Sequence, residues 1–317
     1  MVHIKENKNQ SNHIDIFKDW YKQASVVNKP RRNISKNELE GKIFFPPELF
    51  PVVSHPFIQK RGKFFTDKLL LYRLYSYLDF TECLENEILN HITYKIANYI
   101  LYIKLPKIMI IDAYKICVDE AYHALFSVDI KTQIEEVTGV GCLAFETPEF
   151  LQRFNYIEQT VDSDLREIVK VFFTIVSETL ITGILTDVPR NKNVVNTVRE
   201  VILDHARDES RHHSYFANLL EIVWLQLKPE SKLSIGCLLP QIIFAYLEPD
   251  IAAIKSPLRA MGLEEQEIDI ILAESYPKAK LSLSIKKSAS ATLKHFHKNG
   301  VLEIPHVAEA FEKSGLY

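Results

Sequence analysis

Three side chains in one short stretch of the sequence have the types and spacing of metal ligands. His205, Glu209 and His212 occur within the segment Asp204–His213 at positions i, i+4 and i+7. On a helix, residues at this spacing point the same way, about one turn apart. Apolar residues on the same line predict that this face is turned towards the protein core. A row of imidazole, carboxylate and imidazole suits a transition-metal ion such as iron.

A second stretch repeats the same pattern. Glu120 and His123 stand at i and i+3, and the motif Asp-Glu-x-x-His occurs both here and at residues 208–212. Two such motifs on two helices are half of a carboxylate-bridged di-iron site, which also takes a single Glu from each of two further helices. Two more carboxylates are therefore expected.

Two glutamates fit this requirement. Glu178 is the only ionisable residue in the stretch 171–185, and an isolated buried carboxylate is costly unless it meets a cation. Ahead of the first motif, Glu82, Glu85 and Glu87 compete. Glu85 shares the apolar side of its helix, whereas Glu82 fits a capping residue and Glu87 a solvated one. We therefore choose Glu85.

Each candidate ligand, taken alone, also has a simpler structural explanation. Glu120 and His123 fit an ordinary side-chain pair, because helix residues at this spacing often contact each other. Glu178 fits an ion pair with Arg or Lys, and Glu85 fits a solvated carboxylate. The ordered set on apolar faces is much harder to obtain by accident and favours a di-metal site. The predicted ligands are Glu85, Glu120, His123, Glu178, His205, Glu209 and His212.

Two aspartates are candidates for supporting these ligands. Asp119 and Asp208 each directly precede a motif glutamate. Metal-bound imidazoles commonly donate their other N–H to a carboxylate, which fixes the tautomer and raises basicity. We predict this role for both aspartates, with simple solvation as the alternative. His213 points about 100° away from His212 around the helix and is expected to be structural or exposed.

The composition excludes several classes of protein. Of 317 residues, 47% are hydrophobic and 25% are charged, which is typical of a soluble globular protein and not of a disordered chain. The formal net charge is −3, and no cluster of basic residues indicates nucleic-acid binding. The N-terminus lacks the apolar run of a signal peptide, and no uncharged stretch is long enough for a membrane span. A cytoplasmic protein is expected.

The sequence predicts an all-α fold. Only 9 residues are glycine, and helical periodicity continues from Thr66 onwards without an alternating strand pattern. Four successive long helices carry the predicted ligands. A capping-box pattern at Asp79–Glu82 predicts the start of a helix, and Pro240, Pro249, Pro257 and Pro277 predict helix breaks.

Two segments ahead of the long helices differ from the rest. Residues 1–40 are polar and are expected to form a mobile or loosely docked arm, followed by one all-α domain over residues 41–317. The segment Phe44–Pro51 contains three prolines and cannot form a regular helix. We predict that it is an extended strap packed on the domain.

The whole pattern resembles the p-aminobenzoate (arylamine) N-oxygenase family of non-haem di-iron enzymes, within the ferritin-like superfamily. The paired Asp-Glu-x-x-His motifs carry the resemblance to the superfamily. The additional His205, one turn before Glu209, is similar to the third histidine of this family. The strap and the His55-Pro56 that follows it are similar to the segment before the family's first bundle helix. The resemblance runs from about residue 40 to residue 225.

This resemblance implies a ferritin-like four-helix bundle with additional helices. It implies two iron ions bound by the seven predicted ligands, with O2 as co-substrate. Family members oxidise the nitrogen of a small-molecule amine to hydroxylamine, nitroso or nitro products, and a homodimer is expected. An external reductase or other reductant must supply electrons, because the sequence has no flavin or nicotinamide fingerprint.

Three other functions stay open. A hydroxylase, desaturase or radical-generating subunit shares six of the ligands, but such families usually lack the ligand that His205 represents. A non-catalytic iron-binding or storage protein takes no organic substrate. A helical interaction protein binds no metal.

Overall fold

The fold is described from a computed structural model, which covers residues 15–101, 103–144, 146–180 and 183–317. Within these ranges the chain is helical and forms no β-strand, apart from a single bridge between Ile43 and Val194. The all-α, ferritin-like prediction is confirmed. In chain order, the α-helices are α1 (Trp20–Gln23), α2 (Ser25–Asn28), α3 (Pro56–Gln59), α4 (Lys63–Leu84), α5 (Asn90–Ala97), α6 (Lys107–Thr138), α7 (Glu149–Gln159), α8 (Arg166–Thr179), α9 (Gly183–Asp187), α10 (Asn196–Gln226), α11 (Pro229–Leu247), α12 (Ile251–Ala260), α13 (Glu265–Ser275), α14 (Lys278–Lys298) and α15 (Pro305–Ser314).

Four elements form the central bundle. The first is α4, which continues through one π-helical turn, Glu85–Leu89, into α5. The others are α6, α8 and α10. The first element packs on α6, α10 packs on both α6 and α8, and α5 also contacts α8. These four elements carry the predicted ligands in the predicted order along the chain.

Two apolar clusters fill the bundle, one towards each end. On α10, Val198, Val201 and Ile202 belong to one cluster, and the residues from Tyr215 to Trp224 belong to the other. The His205–His212 segment lies between them. The same order occurs on α6, where Ile116 and Ile130 lie in different clusters on either side of Glu120 and His123. The bundle therefore buries a polar layer between two apolar ones.

The predicted helix start at Asp79–Glu82 is wrong. Helix α4 runs through these residues without interruption. The side chains of Asp79 and Glu82 reach across to Lys131 of α6, with a distance of 3.0 Å between Glu82 Oε2 and Lys131 Nζ. The two acidic side chains that resembled a helix N-terminal capping box therefore form ion pairs with a lysine of another helix.

The predicted breaks at Pro240 and Pro257 are also wrong. Pro240 lies inside α11 and Pro257 inside α12, and both are buried. Packing of these apolar rings offsets the backbone hydrogen bond that each proline removes. In contrast, α6 begins directly after Pro106 and ends at Gly139, whose φ of 69° is the left-handed conformation that glycine adopts most readily.

The N-terminal segments are packed on the bundle where the structure describes them. Residues 1–14 of the expected arm lie outside the described residues. Further along it, Phe17, Trp20 and Ala24 are buried. The proline-rich strap is not α-helical and forms two short 3₁₀ turns, Pro47–Leu49 and Pro51–Ser54. The division of the chain into an arm and one domain stays a prediction.

Two segments are long and apolar enough to cross a membrane, judged by length and composition only. They are Arg166–Asp187, which passes over residues outside the described ranges, and Pro229–Ala260. In the first, 73% of the most apolar window is buried inside the protein, as in the core helix of a bundle. The expected absence of a membrane and the cytoplasmic location stay predictions.

Candidate metal centre

The seven predicted ligands meet in the polar layer between the two apolar clusters. Glu85 comes from the π-helical turn, Glu178 from the end of α8, and the other five from α6 and α10. Six of the seven are buried, and the side chain of Glu209 is 16% exposed. The structure brings all seven together, and their binding of metal stays a prediction.

Glu85 owes its position to the π-helical turn. Such a turn contains one residue more than an α-helical turn and often occurs at functional sites. Across it, Glu85 and Ile88 are buried, whereas Asn86 and Glu87 are exposed. Sequence analysis selected Glu85 from its apolar neighbours but gave no sign of the π-helical turn.

The ligand atoms form two groups of four. One group contains Glu85, His123, His205 and Glu209, and the other contains Glu120, Glu178, Glu209 and His212. Within each group, the candidate ligand atoms all lie within 4.8 Å of one another. Glu209 belongs to both groups, so its carboxylate would serve as a ligand in either group if metal were bound. His205 gives the first group two imidazoles, whereas the second group has one.

Two carboxylates contact histidines of both groups. Glu209 Oε1 lies 3.1 Å from His205 Nε2 and 3.3 Å from His212 Nδ1. Glu120 Oε2 lies 2.7 Å from His123 Nδ1, and Glu120 Oε1 lies 2.9 Å from His212 Nδ1. The nitrogens that face the carboxylates are therefore Nε2 of His205 and Nδ1 of the other two histidines.

Several buried polar atoms in this layer lack a hydrogen-bond partner. They are Glu85 Oε2, Glu120 Oε1, Glu178 Oε2 and His212 Nδ1. Glu120 Oε1 of α6 and His212 Nδ1 of α10 lie 2.9 Å apart, but they are poorly aligned for a hydrogen bond. Unpaired buried polar atoms are costly. Because these atoms converge from four elements and have the donor types that iron prefers, the residues fit a bound metal pair.

Mutual proximity shifts the pKa values of the seven groups in opposite directions. Burial, and then the neighbouring carboxylates, raise the pKa of Glu85 and Glu178 well above the usual range. Burial opposes ionisation of Glu120, but His212 and His123 outweigh it and lower its pKa to about 2. Burial likewise opposes protonation of His123, yet Glu120 and Asp208 raise its pKa to about 10. Protons therefore occupy this layer when metal is absent.

Both predicted aspartates lie behind the histidines, but they cross between the motifs. Asp119 Oδ2 lies 3.2 Å from His212 Nε2, and Asp208 Oδ2 lies 3.3 Å from His123 Nε2. Each Asp-Glu-x-x-His motif thus supports the histidine of the other motif. Nε2–H donation to these carboxylates leaves Nδ1 of both histidines free to face a metal.

The N-terminal segment supplies donors to the same aspartates. The indole N–H of Trp20 donates to both oxygens of Asp119 at 3.0 and 2.8 Å. The backbone N–H of Ser25 donates to Asp208 at 3.3 and 3.2 Å, and Arg211 also contacts Asp208. Sequence analysis missed Trp20 and Ser25, because their partners lie 99 and 183 residues away along the chain.

The ring nitrogen of His205 that faces away from the carboxylates contacts a tyrosine and not an aspartate. Tyr77 Oη lies 3.5 Å from His205 Nδ1. Burial raises the pKa of Tyr77, so its hydroxyl stays protonated. A metal-bound Nε2 leaves the ring proton on Nδ1, which then donates to the tyrosine oxygen.

A large cavity reaches the candidate metal layer. Its volume is about 1020 Å³, and Glu85, Glu178, His205 and Glu209 all line it. Many of its other lining side chains are apolar, including Phe80, Phe150, Leu180 and Ile254, and three are tyrosines. His213 also lines it and lies 3.3 Å from His295, between their Nε2 atoms, so it is a half-buried residue of the cavity. This shape and lining are typical of a small-molecule site.

Arg73 also lines the cavity. Sequence analysis did not identify it, because no arginine stood out as a ligand for a substrate carboxylate. It lies three helical turns before Glu85, and its guanidinium lies over Phe45 and Phe50 at 5.1 and 5.9 Å from the ring centroids. Burial lowers the pKa of Arg73. It forms no hydrogen bond or salt bridge with the described residues. The helical line Arg73, Tyr77, Thr81, Glu85 is the sequence signal that could have found it.

Comparison with known proteins agrees with this geometry. The family model described as p-aminobenzoate N-oxygenase AurF matches residues 28–288, which is most of the chain. The chain belongs to the AurF family. A search of curated proteins found no match. Membership in the AurF family makes the chain an N-oxygenase and therefore an oxidoreductase, and the two four-ligand groups accord with the di-iron chemistry of that family.

Deletion of Asn86 tests the role of the π-helical turn in the AurF-family site. Removing one exposed residue converts the turn to α-helix and rotates Glu85 away from the other ligands. We expect the stoichiometry of bound Fe(II) or Co(II) to fall from about two to about one per chain. Thermal stability stays the same or rises, because the π-helical strain is lost.

Asn86→Ala is the matched control, since it keeps the length of the turn and should bind the full amount of metal. Full metal binding by the deletion variant would contradict this role. Metal content and circular dichroism on the same samples separate loss of the site from unfolding.

Metal binding should release protons from the apo-protein. The raised pKa values of His123 and His212 favour their protonated forms at neutral pH, and the pKa values of Glu85 and Glu178 are raised in the same direction. Metal ligands must lose these protons. We expect a pH indicator in weak buffer to report more than one proton released per chain on Co(II) addition, and metal affinity to rise with pH.

The same shifts predict the pH dependence of apo-protein stability. The pKa of His123 rises on folding from 6.5 to about 10. Its contribution is therefore complete below about pH 6.5 and is lost as the pH rises through 10. Urea unfolding should show this decline for the apo-protein, with a smaller decline in His123→Gln. Equal slopes for both proteins would argue against it.

Proposed function

We propose that the chain holds two iron ions through its seven clustered ligands and uses O2 to oxidise the nitrogen of an amine. The observation that supports this most strongly is the pair of four-ligand groups that share Glu209, a residue that also lines the cavity. When bound, the iron pair supplies the O2 chemistry, and the side chains position the ions and exclude water.

The cavity favours catalysis over iron storage. Its apolar side chains offer an organic molecule a large contact surface next to the candidate ligands, which a protein that only stores iron does not need. The electron donor is expected to be an external reductase or reductant, because O2 chemistry at the site needs electrons that the seven ligands do not supply.

Arg73 favours an amine that also carries an anionic group. The guanidinium is half-buried and forms no hydrogen bond or salt bridge with a carboxylate of the described chain, so it is suited to a bidentate carboxylate ligand. Arg73 is separated from Glu85 by about 18 Å along the helix axis, at 1.5 Å per residue. We therefore propose a substrate whose anionic group lies more than one aromatic ring away from its amine nitrogen.

The proposed function is tested by measuring how much iron the protein binds and whether the loaded protein reacts with O2 and an amine. Apo-protein is loaded anaerobically with Fe(II), iron per chain is counted, and O2 is added with 4′-aminobiphenyl-4-carboxylate while the visible spectrum is followed. We expect about two irons per chain, an O2-dependent spectral change, and an N-oxidised product found by mass spectrometry. Glu85→Gln should lower both iron content and product formation.

Glu87→Gln is the matched control, because Glu87 is exposed on the same π-helical turn and should behave like the wild type. Absence of stoichiometric iron would favour a helical interaction protein. Iron accumulating well beyond two per chain without product would favour storage.

The substrate proposal is tested by ligand binding to the apo-protein. We expect 4′-aminobiphenyl-4-carboxylate to bind more tightly than p-aminobenzoate in calorimetry, because it spans more of the cavity. Arg73→Met should weaken binding of the biphenyl carboxylate by roughly ten- to a hundred-fold, since a hydrogen bond to a charged group is lost.

The methyl ester of the biphenyl compound is the control ligand, and its affinity should not change in Arg73→Met. An equal loss for the acid and the ester would show that Arg73 only shapes the cavity.

A further inference from the structure

Helix α14 concentrates positive charge on a chain whose formal net charge is −3. It contains six lysines and no aspartate or glutamate, and all six lysines are exposed. They are Lys278, Lys280, Lys286, Lys287, Lys294 and Lys298. Sequence analysis recognised no cluster of basic residues, because these lysines are spread over 21 positions of the chain. Folding into a helix brings several of them onto one face.

Four of the lysines form a row on the outer face of α14. Lys280, Lys287 and Lys294 are seven residues apart, which is about two turns of an α-helix, and Lys298 follows about one turn later. Leu283 lies in the same row and is 70% exposed. We name these five residues the α14 lysine row. It is about 27 Å long, at 1.5 Å per residue.

The inner face of α14 contacts the helices that carry candidate ligands. The hydroxyl oxygens of Thr292 and Thr179 are 3.0 Å apart, and Thr179 directly follows the candidate ligand of α8. His295 Nε2 lies 3.3 Å from His213 Nε2, and His213 directly follows a candidate ligand of α10. The α14 lysine row therefore lies on the outer side of a helix whose inner side touches the neighbours of two candidate ligands.

The charges of the row are available to a partner. Within the described residues, Lys298 is the one lysine of the row that forms a salt bridge, with Glu221 at 3.8 Å. Its side chain is still 72% exposed. Exposed charge of one sign attracts a surface of opposite charge and speeds its association. The surface that complements the row is therefore acidic.

An acidic electron-donor protein fits the row better than other anionic partners. The proposed oxidation needs electrons that the seven ligands do not supply, so a donor must reach the chain from outside. A membrane-binding helix combines lysines with an exposed apolar face, whereas Leu283 is the one large apolar residue that α14 exposes. A nucleic acid is a long polyanion and would also meet the net negative charge of the whole chain.

We propose that the α14 lysine row is the docking surface of an acidic one-electron donor of the iron–sulfur class. Each docked donor gives up one electron. Two reduced donor molecules therefore return two ferric ions to the ferrous state and leave in their oxidised form. No bond forms or breaks on α14. The inference rests on the proposed function, because a bound iron pair must accept these electrons.

Calorimetry with the full chain tests docking without O2 or turnover. The probe is an acidic [2Fe–2S] ferredoxin in its oxidised form. We expect saturable one-to-one binding whose Kd rises with salt concentration, since ions screen the attraction between exposed charges. The double variant Lys287→Glu/Lys294→Glu should raise Kd roughly five- to thirty-fold, because two attractive contacts become repulsive.

The double variant Lys18→Glu/Lys22→Glu is the matched control. Both lysines are exposed and form no salt bridge within the described chain, and their replacement changes the net charge by the same amount. Its Kd should stay close to that of the wild type, and circular dichroism should be unchanged in both variants. An equal loss in the two variants would show that net charge alone controls binding and would overturn the docking surface.

Reduction kinetics separate the docking surface from the proposed function. Iron-loaded, oxidised protein is mixed anaerobically with reduced ferredoxin at low concentration, and the loss of ferric absorbance is followed. Lys287→Glu/Lys294→Glu should be reduced roughly five- to thirty-fold more slowly than the wild type. Dithionite with methyl viologen should reduce both proteins at the same rate, because these small reductants need no docking surface.

The two possible failures give different results. Absence of stoichiometric iron would be a failure of the proposed function. An unchanged reaction of ferredoxin with Lys287→Glu/Lys294→Glu would be a failure of the docking surface alone, and so would the absence of ferredoxin binding at low salt. Vesicles that contain phosphatidylserine and duplex DNA are the comparison probes. If either binds more tightly than ferredoxin and is lost in the same variant, the choice of partner is overturned.

Discussion

Burial of many ionisable groups in one layer is the constraint on which the site depends. Four carboxylates and three imidazoles lie between two apolar clusters that exclude water. Uncompensated charge in such surroundings is costly. Without metal, protons on Glu85, Glu178 and two histidines reduce the charge, and the opposite pKa shifts are the result. Two divalent cations would replace those protons and satisfy the unpaired oxygens.

Orientation of the histidines depends on contacts outside the ligand set. Asp119 and Asp208 fix Nε2 of His212 and His123, and both aspartates are themselves held by the N-terminal segment. Trp20 therefore acts on a histidine on α10 through an aspartate on α6. The four-helix bundle alone does not complete the site, because the outer donors come from residues that precede it in the chain.

Much of the fold and the clustering of the seven candidate ligands could be predicted from the sequence, because both follow from local spacing. Helical periodicity and the i, i+3 and i, i+4 positions of Glu120, His123, Glu209 and His212 are properties of single helices. The errors have a common origin in contacts between distant segments. Lys131 binds the acidic groups that resembled a cap, and the crossing of the two aspartates depends on how α6 and α10 are aligned. Packing also decides whether a buried proline ends a helix.

The crossed aspartates have a consequence for biosynthesis. Trp20 and Asp119 are 99 residues apart in the chain, and Ser25 and Asp208 are 183 apart. Trp20 and Ser25 are therefore synthesised long before the aspartates that accept their hydrogen bonds. The histidines of the two motifs are oriented only when α6 and α10 have docked. The seven residues are therefore complete as a set only in the finished fold, and a metal ion would meet the whole set only after α6 and α10 have docked.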